Sequence, residues 1–266
     1  MSYTNYYRDC GMFHASMPLT MHTRLDVLLF GESENQLIEV WTEAERELNR
    51  LEKMFNRFDR ESETAKVNTD AQFRPVELSE ELWMVIDECR EFYVKTDGNF
   101  DITLSNFKHL IITKESQSVQ FDKYGMLIDF GGIAKGYALK KVENIIQKAD
   151  IQRALLNFGN SSVLAVGTHP YGDSWKIGVN NPFDNKLLTT INLCDTSMSV
   201  SGNSPQNKRH IYSKDNNFIE ENKIATIVTD NPVDAEVVTT AWMASQEEEP
   251  AWLQNFNIKN KYIITC

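Results

Sequence analysis

Apolar residues at Leu37, Val40, Trp41, Ala44, Leu48, Leu51, Met54, Phe55 and Phe58 recur at three- and four-residue intervals through residues 34–58, with charged side chains between them. That is the period of a long helix burying one face. A second helix is predicted from Ser79, a side chain suited to the N-cap, through Leu82, Val85, Ile86, Cys89 and Phe92 to residues 93–95. Ala138, Leu139, Val142, Ile145 and Ile146 mark a third helix. Asn231 followed by Pro232 opens a fourth, because asparagine caps well and proline at the first helical position has no N–H to lose. Short apolar runs lie between the helices. Residues 21–30, 119–121, 126–130, 154–158, 163–167, 175–179, 187–193, 198–201 and 224–228 are predicted strands, the second and third paired through a turn at Tyr124-Gly125. Short strands interrupted by a few long helices predict an α+β fold with largely antiparallel sheets and packed helices. No repeat or low-complexity linker forces a boundary, so residues 1–266 are read as a single domain.

The sharpest change of pattern falls in Asp129-Phe-Gly-Gly-Ile-Ala-Lys-Gly-Tyr-Ala138, where an apolar run meets Gly131 and Gly132 and then a helix. A helix entered through a glycine turn aims backbone N–H groups and the positive end of its dipole at whatever lies in front, which suits a phosphate. Lys135 adds a positive charge. Two common nucleotide fingerprints do not fit: Tyr137, not Lys, follows Gly136, and glycines at 131, 132 and 136 do not make G-x-G-x-x-G. Three further polar sets stand out. Ser62 and Asn68 read as turn and cap chemistry. Asp101 and Thr103, after the turn at Gly98, would point to the same side of an extended stretch. Glu236 and Thr240 stack on one face of the fourth helix, where a carboxylate and a hydroxyl can hold one divalent ion. Asp234 lacks such a partner at the same offset and instead favours the helix N-terminus electrostatically.

A formal net charge of −11 argues against a nucleic-acid or anionic-membrane partner, so an anionic ligand would need local help from a metal, lysines or helix ends. The four cysteines, at 10, 89, 194 and 266, lack the spacing of a zinc site or a disulfide framework and read as free thiols. No run is long enough to span a bilayer, and residues 1–10 lack the apolar core of a signal peptide. As written, the chain is expected to be cytoplasmic, or periplasmic if a leader was removed.

The ordered set Phe100-Asp101-Ile102-Thr103, Asp129 to Ala138, Asn157-Phe-Gly159, Trp175-Lys-Ile-Gly178, Ser201-Gly202, His210-Ile211 and Ala235-Glu-Val-Val-Thr-Thr-Ala241 closely resembles the FAD:protein FMN transferases, the ApbE family. The resemblance implies a T-fold-like scaffold, FAD as substrate, magnesium as cofactor and a flavin-acceptor protein as transient partner. It places Gly131, Gly132, Ala134, Lys135 and Gly136 along the diphosphate, with the Ala134 carbonyl, Glu236 and Thr240 as metal ligands. Asp101 and Thr103 match a turn beside the nucleotide, and Ser62, Asn68, Ser201 and Gly202 match segments that enclose FAD. His210 matches a histidine near the reacting phosphate and is the candidate general acid or base.

The chain also departs from the family pattern. Glu236 replaces an Asp, Gly159-Asn160 replaces a glycine pair, His210-Ile-Tyr-Ser-Lys214 replaces His-Ile-Ile-Asp-Pro, and Pro18-Leu19-Thr20 stands where Gly-Thr is expected after Met17. The longer carboxylate bears on a demanding magnesium geometry. Two other expectations therefore stand beside the transferase: a metal-dependent FAD pyrophosphatase, and a non-catalytic flavin-binding homologue.

Overall fold

The computed structural model describes residues 2–181, 184–202, 212–213, 219, 223–245 and 247–265. The chain starts with strands β1 (Tyr3–Tyr7), β2 (Met12–Thr20) and β3 (Thr23–Phe30), a meander the apolar pattern revealed only in its last member. Helix α1 (Glu34–Phe55) follows, capped by the Ser33 hydroxyl, which accepts from the Gln36 N–H. It stops short of Phe58. Asn56 leaves the helical conformation and its side chain accepts from the Phe58 N–H, so Phe58 is exposed rather than part of the buried stripe. Next come α2 (Glu63–Asp70), β4 (Val76–Glu77), α3 (Glu80–Lys95), β5 (Leu110–Thr113), β6 (Ser118–Phe121), α4 (Ala134–Lys148), β7 (Arg153–Phe158) and β8 (Ser162–Val166). The remainder is β9 (Trp175–Asn180), β10 (Leu187–Leu193), β11 (Thr196–Gly202), β12 (Lys223–Thr229), α5 (Pro232–Ala244) and β13 (Ile258–Thr265).

The main sheet has eight strands in the order β1-β2-β3-β7-β8-β11-β12-β13. Every neighbouring pair is antiparallel, as the α+β expectation required. Side chains alternate between its faces with the strand period. Leu25, Val27, Leu29, Ala154, Leu156, Phe158 and Leu164 pack toward α1, α4 and α5. Val163, Ala165 and Met198 turn the other way, against Trp175, Val179, Ile191 and Leu193 of the β9–β10 hairpin. Because both faces are covered, strands such as β12 are buried along their whole length and lose the alternation of a half-exposed strand.

Residues 126–130, predicted as a strand paired with 119–121, form no ladder. Strand β6 pairs instead with β4 and β5. The 126–130 backbone is held by a side chain: the Ile128 N–H donates to Asn68 Oδ1 at 2.7 Å, and Asn68 Nδ2 donates to the Ile128 carbonyl at 2.9 Å. One asparagine thus supplies the two bonds that a neighbouring strand residue would have supplied. The Asp129 N–H is satisfied by the Ile102 carbonyl.

A candidate active site at the meeting of α4, α5 and the sheet

Helices α4 and α5 cross close together because Gly136 has no side chain. A Cβ there would lie 2.4 Å from the Pro232 carbonyl oxygen and 2.9 Å from Glu236 Cβ. The close approach brings the first turn of α4, including Lys135, alongside the second turn of α5. Glu236 is buried, and both of its oxygens are engaged. Its Oε1 takes the ammonium of Lys135 in an ion pair. Its Oε2 accepts from Ser162 Oγ at 2.5 Å and Ser199 Oγ at 3.1 Å. Thr240, one turn further along α5, sits against Gly132, where a Cβ would come within 3.0 Å of Thr240 Cγ2 and 3.2 Å of the Phe100 ring.

These groups line one cavity of about 440 Å³, of the size that holds small ligands. Its walls are Gly131, Gly132 and Lys135 from the glycine turn, Glu236 and Thr240 from α5, Ser201 and Gly202 from β11, Tyr212 and Ser213, and the loop of residues 98–105. That loop is strained. Leu104 and Ser105 both adopt positive φ, 54° and 76°, a conformation that L-residues with side chains seldom take. Asp101 organises it: Oδ1 accepts from the Thr103 N–H at 2.7 Å and the Thr103 hydroxyl at 2.6 Å, and Oδ2 from the Phe107 N–H at 3.2 Å. Burial pushes the Asp101 carboxyl up from its usual pKa, opposed by those hydrogen bonds. The Ser105 hydroxyl then reaches across to the Ser213 carbonyl at 2.8 Å.

The first turn of α4 has no side-chain cap. The N–H groups of Ile133 and Ala134 bond back to the Phe130 carbonyl, and the Gly131 N–H bonds to Asp129 Oδ1. Asp129 is itself paired with Arg57, whose Nε lies 2.7 Å from Oδ2 without an aligned N–H. Asp129 and Arg57 also border an adjoining smaller hollow with His22, Phe58 and Ala134.

The residues expected from sequence thus divide. Asp101, Gly131, Gly132, Lys135, Ser201, Gly202, Glu236 and Thr240 converge on the cavity. Ser62, Asn68, Thr103 and Gly136 do not line it. Ser62 is buried as the N-cap of α2, its hydroxyl accepting from the Ala65 N–H at 2.9 Å. Asn68 spends its amide on Ile128, Thr103 lies in a turn bonded to Asp101 rather than beside it on a strand, and Gly136 acts through helix packing. Ala134 borders the smaller hollow. His210 lies outside the described residues. Asn160, the departure from a glycine pair, takes the left-handed conformation (φ 62°), its side-chain oxygen accepts from Asn157 Nδ2 at 2.9 Å, and it does not line the cavity. The residues that sequence reasoning missed are Ser162 and Ser199, whose meeting depends on which strands become neighbours, and Leu104 and Ser105, whose φ no residue type announces.

The donor set bears on whether a metal could sit here. Among the described residues no group of three or more His, Cys, Asp and Glu side chains could hold a metal ion. One carboxylate and one hydroxyl on a cavity wall nevertheless suit magnesium, which keeps several waters and completes its shell with substrate phosphates. The carboxylate already carries a cation, the Lys135 ammonium, so the position favours positive charge.

The fold is shared with solved ApbE proteins. The ApbE protein of Thermotoga maritima superposes with a TM-score of 0.77 at 21% identity, covering 88% of this chain and 86% of that one. The flavin transferase ApbE of Vibrio cholerae gives 0.76 at 20% identity, covering 88% and 87%. The chain matches the ApbE family over residues 21–118 and 104–263, and it belongs to that family. Among curated relatives, an FAD:protein FMN transferase of Klebsiella pneumoniae is 25% identical over 150 residues, covering 52% of this chain and 45% of the relative. That of Chlamydia muridarum is 24% identical over 192 residues, covering 62% and 58%. The chain thus spans about half the length of these two relatives.

Proposed function

We propose that this chain is an FAD:protein FMN transferase that moves FMN from FAD to a threonine or serine hydroxyl of another protein, with magnesium as the cofactor. The observation that carries the reading is the convergence of Gly131, Gly132, Lys135, Glu236 and Thr240 on one cavity. These are the residue types that a diphosphate with a divalent ion calls for. Membership of the ApbE family and the names of its relatives support it.

The glycine turn lets the protein backbone approach the ligand closely, and Lys135 offsets the charge of the diphosphate. Glu236 and Thr240 would hold magnesium, which when bound neutralises charge that develops on the phosphate oxygens. The acceptor hydroxyl oxygen forms a bond to the FMN-side phosphorus, the bridging P–O bond breaks, and AMP leaves with that oxygen. His210 takes the hydroxyl proton. The loop of residues 98–105, braced by Asp101, and the Tyr212-Ser213 segment line the same cavity and would orient the flavin nucleotide.

A second reading, a flavin-binding homologue without turnover, is favoured by one observation: both oxygens of Glu236 already have protein partners. Titration with FAD, followed by flavin fluorescence with and without magnesium, and chromatography of the nucleotides separates these readings. Magnesium-dependent binding with AMP formed only when an acceptor is present supports the transferase. AMP and free FMN formed without acceptor indicate a pyrophosphatase, and tight binding with FAD intact under every condition indicates the homologue without turnover.

A further inference from the structure

The Lys135–Glu236 pair bears on how a cation would enter the site. Glu236 Oε2 is occupied by two serine hydroxyls, so Oε1 is the oxygen left for a cation, and Lys135 holds it. The other carboxylates on the cavity wall are committed elsewhere: Asp129 to Arg57 and the Gly131 N–H, and Asp101 to Thr103 and Phe107. An ammonium and a divalent ion that compete for one carboxylate oxygen weaken each other's binding, because two positive centres a few ångströms apart repel. Lys135 is mostly shielded from solvent, its side chain 19% exposed, and lies beside the turn at Gly131-Gly132.

We propose that Lys135 is the internal counter-ion of Glu236, that a divalent cation and this ammonium exclude one another at Oε1, and that cation entry turns the ammonium toward the anionic part of the ligand. The proposal rests on the reading of the cavity as a diphosphate site for its second half and on the structure alone for its first. The exchange has a thermodynamic consequence. With Lys135 in place, divalent binding must break an ion pair and is weak on its own; a diphosphate offers the displaced ammonium a new partner, so cation and ligand bind cooperatively, each strengthening the other by the same factor.

The test uses the full chain and Mn²⁺ alone, with free Mn²⁺ measured by electron paramagnetic resonance. Lys135→Met and Lys135→Gln leave Glu236 charged and unpaired, and both are expected to bind Mn²⁺ about tenfold more tightly than the unaltered protein. Lys135→Arg keeps the charge and is expected to bind as weakly as the unaltered protein, which a role in packing alone would not predict. Glu236→Gln is expected to lose binding. Neutral variants that bind Mn²⁺ no more tightly than the unaltered protein would overturn the proposal. The second half is read by FAD titration: magnesium is expected to strengthen FAD binding in the unaltered protein and to do so much less in Lys135→Met. Equal strengthening in both would overturn that half. Absence of FAD binding with the Mn²⁺ pattern intact would remove the flavin assignment and leave the exclusion standing.

Discussion

Ser162 and Ser199 face each other in register across the β8–β11 ladder, and both hydroxyls donate to the same oxygen of Glu236, at 2.5 and 3.1 Å. Two neighbouring strands thereby fix a carboxylate that belongs to a helix on the face above them. A hydrogen bond to a charged group contributes about 1.5–3 kcal/mol. Ser162→Ala and Ser199→Ala are each expected to lower stability by about that amount, with the pair not additive because they share one acceptor. Urea denaturation of the two single variants and the double variant measures this; additive losses would mean that the hydroxyls act separately.

Asn68 is expected to matter as much as a buried core residue. Removing its amide in Asn68→Ala leaves the N–H and carbonyl of Ile128 without their partner, a loss of about 2 kcal/mol or more. Hydrogen exchange at the Ile128 amide should quicken sharply, and affinity for FAD should fall, since the glycine turn begins three residues later. Unchanged exchange at Ile128 would show that other contacts hold the segment.

Helix crossing gives a sharper contrast. Gly136→Ala forces Cβ against backbone, 2.4 Å from the Pro232 oxygen, whereas Gly172→Ala meets nothing closer than 3.9 Å. The first is expected to cost about 1–3 kcal/mol and to weaken FAD binding by displacing Glu236. The second should leave both unchanged. Thermal unfolding and FAD titration of the two variants check it.

Glu81 supplies a pH dependence. It sits in the first turn of α3 and receives Arg50 of α1 at 2.6 Å and Lys141 of α4 at 2.7 Å, with the Tyr137 hydroxyl donating at 2.9 Å. Burial pushes its carboxyl up, but these hydrogen bonds outweigh that and bring its pKa down to about 2 from the ordinary 4.5. A carboxyl with a lowered folded pKa binds its proton more readily when unfolded, so the stability it contributes is complete above the ordinary value and is lost as pH falls toward about 2. Stability should therefore decline between these two values, and Glu81→Gln should flatten that decline while lowering stability at neutral pH. Urea midpoints across the acid range measure it.

Where signals were local, the sequence disclosed the structure. The caps at Ser79 and Asn231 mark the starts of α3 and α5, with side chains accepting from Leu82 and Val233 N–H groups, and the spacing of Glu236 and Thr240 puts both on the cavity wall. Helix α2 escaped notice because only Ala65 and Val67 give it an apolar face. Residues 126–130 looked like a strand because apolar alternation is the same whether the partner is a strand or the amide of Asn68. The cradle around Glu236 was hidden for a different reason: it depends on β8 lying beside β11 although 29 residues separate Val166 from Thr196 in between, and nothing local encodes that adjacency.

The most direct test is a single incubation of the chain with FAD, magnesium and an acceptor protein, with intact-protein mass and AMP read from the same sample. The acceptor is expected to gain covalent FMN, with one AMP released for each FMN attached, and Glu236→Gln is expected to abolish both. An acceptor left unmodified while FAD stays whole would contradict the proposed function.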